Sequence, residues 1–350
     1  MSKYFYKDEP VIGLDISQTS LKVMAINPKK MSVTGYGSLD IDPNKLQQSL
    51  DGNGEYLTEQ LKLLLETKIV GKLPSTHTVI SLPTSRTYTR SLTLPADVKG
   101  DLLDAIRLEA DQYIPVSADQ LYIDYEITSR TNEEIHAYMC AAPQHIIDTC
   151  IVAAQNAGLK VVMIEPSMNA VARLLKISEQ GDLPTIIIDI GAASSDVAVL
   201  DKTIKVTGGA AVGGNTFTLA ISTALELDLE EAHQLKVLNG LSAGPKQKKI
   251  RSSVEPELKK IIQEVKKVMR YYEERVSDAH KIEQVLIIGG GSNLPGIGDF
   301  FTENLMLASR VASPWQVLNF SKLPQPARQF KPRYISVAGL ASVDAKEIWK

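Results

Sequence analysis

Asp15 and Asp189 open two stretches of the chain that are versions of one another. Residues 15–26 read DISQTSLKVMAI and residues 189–200 read DIGAASSDVAVL; they align without a gap, so Asp15 meets Asp189, Ile16 meets Ile190, Ser20 meets Ser194 and Val23 meets Val197. Each has an apolar strand ending in Asp, a small polar turn and a second alternating strand. Such a turn offers backbone N–H groups to phosphate oxygens, and the Asp beside it can hold a hydrated Mg²⁺. Two copies make a clamp that grips a polyphosphate from both sides. One copy alone reads as a turn-forming Asp. The second copy, with the late turn Gly289-Gly290-Gly291-Ser292, shifts the reading to a nucleotide site, because glycine lets backbone approach a flat base or sugar. Lys22, on the second strand of the first hairpin, is placed to neutralise a phosphate oxygen; the plainer reading is a solvated strand lysine.

Other nucleotide motifs fail. No G-x-x-x-x-G-K-[ST] run exists, so there is no P-loop. Residues 289–294 begin like G-x-G-x-x-G but carry Leu294 where the third glycine belongs, and no βαβ unit follows.

A chain of 350 residues is too long for one compact core, so two lobes are expected. It is 44% hydrophobic and 23% charged, an ordinary soluble composition. A net charge of −3 gives no electrostatic case for nucleic acid. Cys140 and Cys150 fit neither a zinc pattern nor a disulfide framework and read as reduced core residues of a cytosolic protein. The five histidines are scattered singly. Residues 1–10 lack the apolar core of a signal peptide, and no apolar run reaches the length of a membrane span.

The elements that must position the aspartates follow from periodicity. Residues 11–16 and 21–27 read as the first hairpin. Leu57, Leu61, Leu64 and Leu65 share a helical face, and a strand follows at 77–82. Residues 86–164 then read β-α-β-β-α-β, enough to fold as a unit. The second half opens with a strand at 185–191. The glycine-rich passage 208–214 leads into a helix with Asn215 or Thr216 as N-cap. Helices at 229–238 and 257–276 come next, with Lys246, Lys248 and Lys249 in a solvated loop between them, then a strand at 285–288. The apolar tail 334–343 is expected to dock on the first lobe.

With these residues in place the sequence resembles the actin-like ATPase superfamily. The two Asp hairpins resemble its phosphate-1 and phosphate-2 motifs, residues 285–296 its adenosine motif, and Ile164-Glu165-Pro166-Ser167-Met168-Asn169-Ala170 its connecting element. A narrower resemblance is to the PilM family of type IV pilus assembly proteins. It rests on Ser81-Leu82-Pro83, Tyr88-Thr89-Arg90-Ser91-Leu92, Glu109-Ala110-Asp111-Gln112-Tyr113-Ile114-Pro115-Val116, Asp124-Tyr125-Glu126-Ile127, Ala141-Ala142-Pro143 and Gly158-Leu159-Lys160-Val161-Val162. The resemblance implies an α/β, two-lobed actin-like ATPase fold with ribonuclease H-like halves and an inserted β-α-β-β-α-β subdomain, shared with the cell-division protein FtsA. The implied division is 1–85 with 165–184 and 331–350 as first lobe, 86–164 as inserted subdomain, 185–215 with 257–330 as second lobe, and 216–256 as a small helical subdomain.

The resemblance also implies site residues. Asp15, Ser17, Gln18, Thr19, Ser20 and Lys22 fall on phosphate-1. Asp189, Gly191, Ala192, Ala193, Ser194 and Ser195 fall on phosphate-2. Gly213, Gly214 and Asn215 sit at the following helix start, and Gly289, Gly290, Gly291 and Ser292 on the adenosine turn. Glu165 falls on the connecting-element acid, a candidate catalytic group that positions water or metal. Lys236 and Lys267 match basic residues on the nucleoside side; both also read as exposed helix lysines. Ser17 stands where a glycine is usual, and Val268 where a small polar residue is often found. The implied cofactors are ATP and Mg²⁺, the metal held through water by Asp15 and Asp189. The implied partners are the N-terminal cytoplasmic peptide of a PilN-like inner-membrane protein, bound between first lobe and inserted subdomain, and the pilus platform and motor components. Self-association into a homo-oligomer is a further expectation. Nucleic acid is not a partner, and the membrane's cytoplasmic face is reached only through proteins. Two other functions share the fold: an FtsA-like filament former, whose membrane-binding helix has no counterpart in residues 345–350, and a sugar kinase, which needs an acceptor pocket with its own Asp base.

Overall fold

The computed structural model describes residues 10–98, 101–179, 182–242, 247–276, 279–321 and 323–348. The chain opens with β1 (Ile12–Ser17), β2 (Ser20–Asn27) and β3 (Ser32–Asp40), followed by α1 (Pro43–Asp51), α2 (Glu55–Thr67), the short β4 (Val70–Gly71) and β5 (His77–Leu82). Asp42 caps α1 by accepting from the N–H groups of Asn44 and Lys45, with Pro43 in the first turn where its missing N–H costs nothing. Leu57, Leu61 and Leu64 bury one stripe of α2 against Leu14, Ile16 and Val23 of the first strands. Each such side chain taken from water contributes about 1.5–3 kcal/mol.

The chain then leaves this sheet. β6 (Tyr88–Pro95), α3 (Leu102–Tyr113), β7 (Leu121–Arg130) and β8 (Glu134–Pro143) form a separate antiparallel sheet of order β6-β8-β7, on which α3 buries Ile106 and Ala110. It returns through α4 (Gln144–Asn156), β9 (Lys160–Pro166) and α5 (Ser167–Ser178). Here the structure departs from the six-element block read from sequence. β9 pairs in parallel with β5 at the edge of the sheet β4-β3-β2-β1-β5-β9, and α4 buries Ile146, Cys150 and Ala153 in the core that holds α2. Sheet pairing thus gives residues 144–166 to the first lobe and ends the inserted unit at β8. The periodicity of a helix and strand does not say which of two sheets they join.

The second half contains β10 (Thr185–Ile190), β11 (Ser195–Asp201), β12 (Thr203–Ala210), α6 (Gly214–Leu225), α7 (Leu229–Asn239), α8 (Gln247–Arg275), β13 (Gln284–Ile288), α9 (Ile297–Leu305) and β14 (Ala308–Val311). Its sheet order, β12-β11-β10-β13-β14, repeats β3-β2-β1-β5-β9 strand for strand, with an antiparallel hairpin followed by parallel partners. The twelve-residue repeat in the sequence is thus the visible part of a whole repeated sheet. α10 (Ile335–Ala341) lies on α5 and β1, so the apolar tail does dock on the first lobe; α11 (Ala345–Ile348) follows. α5 and α10 share one core with Met24 and Ile26 of the first sheet and Ile187 and Leu286 of the second, which joins the two lobes.

Two local expectations change. α8 begins at Gln247, so Lys248 and Lys249 stand in a helix rather than a loop; Lys246 lies outside the described residues. Pro256 sits inside this helix and looks in sequence like a helix start. The N-cap of α6 is Gly213, whose N–H donates to Thr216 Oγ1, so neither Asn215 nor Thr216 is the cap. Among the described residues no helix is long and apolar enough to cross a membrane.

Candidate functional site

The register of β1 against β2 puts Asp15 opposite Lys22. Lys22 Nζ donates to Asp15 Oδ2 at 2.6 Å and to Ser17 Oγ at 3.2 Å, and Ser81 Oγ, from the parallel neighbour β5, donates to Asp15 Oδ1 at 2.7 Å. Asp15 and Lys22 are both buried, so the pair is short because neither charge has much water. Ser17 Oγ donates to the Ser20 carbonyl at 2.8 Å, so the hydroxyl expected to meet phosphate braces its own turn. Gln18 and Thr19 form the half-buried tip.

The same register on the second hairpin puts Asp189 opposite Asp196. Asp196 is a candidate site residue that the motifs alone do not single out, although the alignment displays it: it occupies the place of Lys22. The first hairpin is therefore a neutral ion pair, whereas the second carries two carboxyl groups. Burial, then Asp196, then Asp15 push the Asp189 carboxyl up to about 7, with Lys22 opposing. Burial raises Asp196 to about 6, Thr84 holds it down and Asp15 raises it further. Gln18 and Thr84 of the first lobe and Ser194 and Asp196 of the second line one cavity, so the two hairpins share a single cleft and their carboxyl groups raise one another.

The turn after Asp189 is braced from behind. Gly191 N–H donates to the Ser194 carbonyl, while Gly214 and Asn215 at the start of α6 donate to the carbonyls of Gly191 at 2.9 Å and Ala192 at 2.8 Å. A Cβ on Gly213 would come within 2.6 Å of the Ala192 oxygen, which explains the glycine there. Ser195 is fully buried and donates to the Val212 carbonyl at 2.7 Å. Gly213, Gly214, Asn215 and Ser195 thus shape the turn through their own bonds, leaving Ala193 and Ser194 at its half-buried tip. Lys236 reaches this place from α7, its ammonium donating to the Gly214 carbonyl at 2.8 Å and Thr218 Oγ1 at 2.7 Å; burial lowers its pKa to about 8.

Gly289 follows β13 with φ +81°, and a side chain there would collide with Asp189 Oδ1 and the Ile190 carbonyl. Ser292 Oγ donates to the Gly289 carbonyl at 2.7 Å and holds the turn closed. Gly291 packs on Ile190, and Gly290 lies beside Arg333. The glycine turn is therefore in direct contact with the second aspartate.

Two predicted residues are not brought into this set. Glu165 is 4% exposed and is held by both oxygens: Arg173 Nη1 and Nη2 donate to Oε1 and Oε2 at 2.8 and 2.9 Å. Arg173 also donates to the Gly339 carbonyl, tying β9 and α5 to α10. Glu165 stands as one half of a buried fork rather than as a group free to orient water, and burial, outweighing Arg173, still raises its pKa. Lys267 is largely exposed on α8 and pairs with Glu264 at 3.4 Å; it is Glu264, not the lysine, that packs against Gly208 at the cavity. Its neighbour Val268 is buried against Gly208.

The described residues contain no cluster of three or more His, Cys, Asp or Glu able to ligate a metal directly. Asp15, Asp189 and Asp196 against one lysine nevertheless leave the cleft short of positive charge. A hydrated divalent cation that arrives on a polyphosphate fits such a donor set, held through water rather than by a prebuilt cage. Beside the hairpins lies a cavity of about 480 Å³ lined by Gln18, Thr84, Ser194 and Asp196, and by β6 and the glycine-rich end of β12.

Two sheets of one strand order, each presenting an Asp hairpin to a shared cleft, make this a two-lobed protein of the actin-like fold. The sequence matches the model of the family described as type IV pilus assembly protein PilM over residues 13–343, and the chain belongs to that family. Among solved structures it is similar to a chain of the PilM-PilN type IV pilus biogenesis complex, with 22% identity, TM-score 0.78 and coverage of 95% of this chain and 98% of that one. MreB5 of Spiroplasma citri bound to AMPPNP shares the fold at 15% identity and TM-score 0.54, covering 95% of each chain. The cell division protein FtsA of Neisseria meningitidis serogroup B is 29% identical over 150 residues, 40% of this chain and 36% of that protein, so the chain spans only about a third of this curated relative.

Proposed function

We propose that the chain is an ATP-binding scaffold of the type IV pilus assembly platform. The observation that carries the nucleotide reading is the pair of Asp hairpins on one cavity, lined by Gln18 and Thr84 from the first lobe and by Ser194 and Asp196 from the second; burial first, then the neighbouring carboxylates, raises Asp189 to about 7, and burial with Asp15 raises Asp196 to about 6. MgATP, when bound, supplies the cation that these carboxylates lack. Asp15 and Asp189 hold its water shell, the hairpin tips around Gln18 and Ala193 meet phosphate oxygens, and Gly289–Gly291 lie along the nucleoside. Glu165 is engaged by Arg173 in this conformation, so the reading is of a binding protein with slow turnover at most.

The partner is the N-terminal cytoplasmic peptide of a PilN-like inner-membrane protein, seated between the first lobe and the inserted unit; the fold match to a PilM-PilN complex and the family membership support it. The protein would then be held at the cytoplasmic face of the inner membrane by its partners. The test is calorimetric titration of MgATP into the wild type and Asp189→Ala. Micromolar binding that disappears in the variant is expected; a folded wild type that takes up no heat refutes the nucleotide reading. Anisotropy of a labelled PilN-type peptide tests the partner, and no binding at high micromolar concentration, with or without nucleotide, refutes that part.

A further inference from the structure

Among the described residues, hydrogen bonds and a stacked arginine join the inserted unit directly to the second lobe. The Thr89 and Thr207 hydroxyls are hydrogen-bonded between β6 and β12, and Ser91 Oγ donates to the Lys205 carbonyl at 3.0 Å. Arg90, between them, stacks its guanidinium 3.4 Å from the Tyr113 ring centroid of α3 and 5.8 Å from that of Tyr271 on α8. β6 and β12 are each the outer strand of their own sheet, so this seam runs edge against edge. Toward the cleft the two edges part around the cavity of about 480 Å³. At its inner end stands Thr84 of the first lobe, beside Asp196 of the second. Thr84 Oγ1 is buried where both hairpins meet the cavity; its contact with the Asp196 carboxyl falls short of a hydrogen bond of normal geometry and leaves it under-satisfied.

We propose that Thr84 belongs to the nucleotide site and that the β6–β12 seam carries the state of that site to the inserted unit. This rests on the nucleotide reading above. When the cleft fills, Asp196 gains a cation, the lobes draw together, and Thr84 finds a hydrogen bond of normal geometry on the ligand or its water shell. The cavity leaves room for that motion. β12 moves with the second lobe, and the seam obliges β6 and α3 to follow, so the surface that takes a peptide partner is set by what the cleft holds. A seam formed of a few directional bonds suits this role, because it has a small number of alternative arrangements rather than a continuous range.

The test is amide hydrogen exchange on the full chain, with and without MgATP, beside calorimetry on the same samples. MgATP is expected to slow exchange across residues 88–95 by about fivefold, the lower end of usual coupling between sites. In Ser91→Ala, whose side chain is outside the cavity lining, the MgATP affinity should stay within about twofold, while the change at 88–95 is lost or clearly reduced. Thr84→Val should weaken MgATP, and Thr84→Ser should restore it. If Ser91→Ala lacks a cooperative thermal transition, Tyr271→Leu, which removes the Arg90 contact and is likewise outside the cavity lining, takes its place and should reduce the effect in part. MgATP heat with no change at 88–95 in the wild type overturns the seam and leaves the nucleotide reading standing. A change that survives undiminished in the seam variants also overturns it. No MgATP heat in the wild type overturns both.

Discussion

Replacing Asp189 by Asn should stabilise the nucleotide-free protein while abolishing nucleotide binding. The folded state holds the Asp189 carboxyl at about 7, against 3.8 for the free side chain, chiefly through burial and the neighbouring Asp196 and Asp15. At about 1.4 kcal/mol per pKa unit, keeping it ionised at pH 8 costs the fold about 4 kcal/mol. The sign follows from proton counting. Between pH 4 and 7 the folded protein keeps a proton that the unfolded chain has lost, so stability falls as pH rises through that window and levels off above it. Asparagine has the same shape and no charge, so the share of the fall that belongs to Asp189 should be absent, leaving the smaller one that Asp196 makes below about pH 6. For 350 residues the unfolding entropy is about 0.7 kcal/mol/K, and 4 kcal/mol corresponds to a rise of about 5 °C in Tm. The assay is scanning calorimetry of both proteins in EDTA from pH 4 to 8. The gap should be small at pH 4 and reach its full size by pH 7. Adding MgATP at pH 8 should then raise the wild-type Tm and leave the variant unmoved. A variant no more stable than wild type at pH 8, or a gap that does not grow with pH, would refute the electrostatic account of the cleft.

Other changes test separate parts of the molecule. Arg173→Ala strands Glu165 at 4% exposure and should cost about 3–5 kcal/mol in urea unfolding, eased as pH falls and Glu165 protonates; Arg173→Lys should recover only part, because an ammonium cannot make the fork. Gly289→Ala places a side chain at φ +81° against Asp189 and should weaken MgATP at least tenfold by calorimetry, about 1.4 kcal/mol or more. Lys236 is held at about 8, well below its unfolded value, so the unfolded chain keeps a proton that the fold has shed. Wild-type stability should therefore rise from pH 8 to about 10. Lys236→Met should be flat there, and a parallel rise in both proteins would count against the burial argument.

How far the sequence could be read depended on whether the information was local. The Asp15 and Asp189 hairpins were legible because strand, turn and strand lie within a dozen residues, and because the chain carries the unit twice. Asp196 was equally local but was passed over, since a mismatch with Lys22 looks like divergence until the register shows that both face the partner Asp. Glu165 shows the opposite limit. Its motif position suggests an acid that positions water or metal, but its state is fixed by Arg173 on the next helix, which the Gly339 carbonyl far along the chain also holds. Nothing within a local window contains that geometry. The return of α4 and β9 to the first sheet is of the same kind, a question of which distant edge a strand joins. Thr84 had no signal at all beyond following β5, and only the packing of both lobes brings it beside Asp196.

The exchange of Lys22 for Asp196 is also the most consequential difference between the two repeated sheets. A symmetric clamp with a lysine on each side would satisfy both aspartates internally and would bind phosphate without metal. A clamp with an Asp on each side would keep four carboxyl groups together, and their repulsion would push the lobes apart. With one neutral hairpin and one carrying two acids, the first lobe is a finished wall and the second is left wanting a cation. On the proposed nucleotide reading, a need for a divalent ion, the cost of the nucleotide-free state and a movement of the second lobe when the cleft fills would then share one origin. Lys22→Asp should accordingly make the nucleotide-free protein less stable at pH 8 than at pH 5, by more than the wild type is, because Asp15 loses its partner and a new carboxylate joins it, making four unpaired carboxyl groups in the same cleft. A variant whose stability runs parallel to wild type over that range would show that the two hairpins do not share a cleft field, and the argument from asymmetry would fall with it.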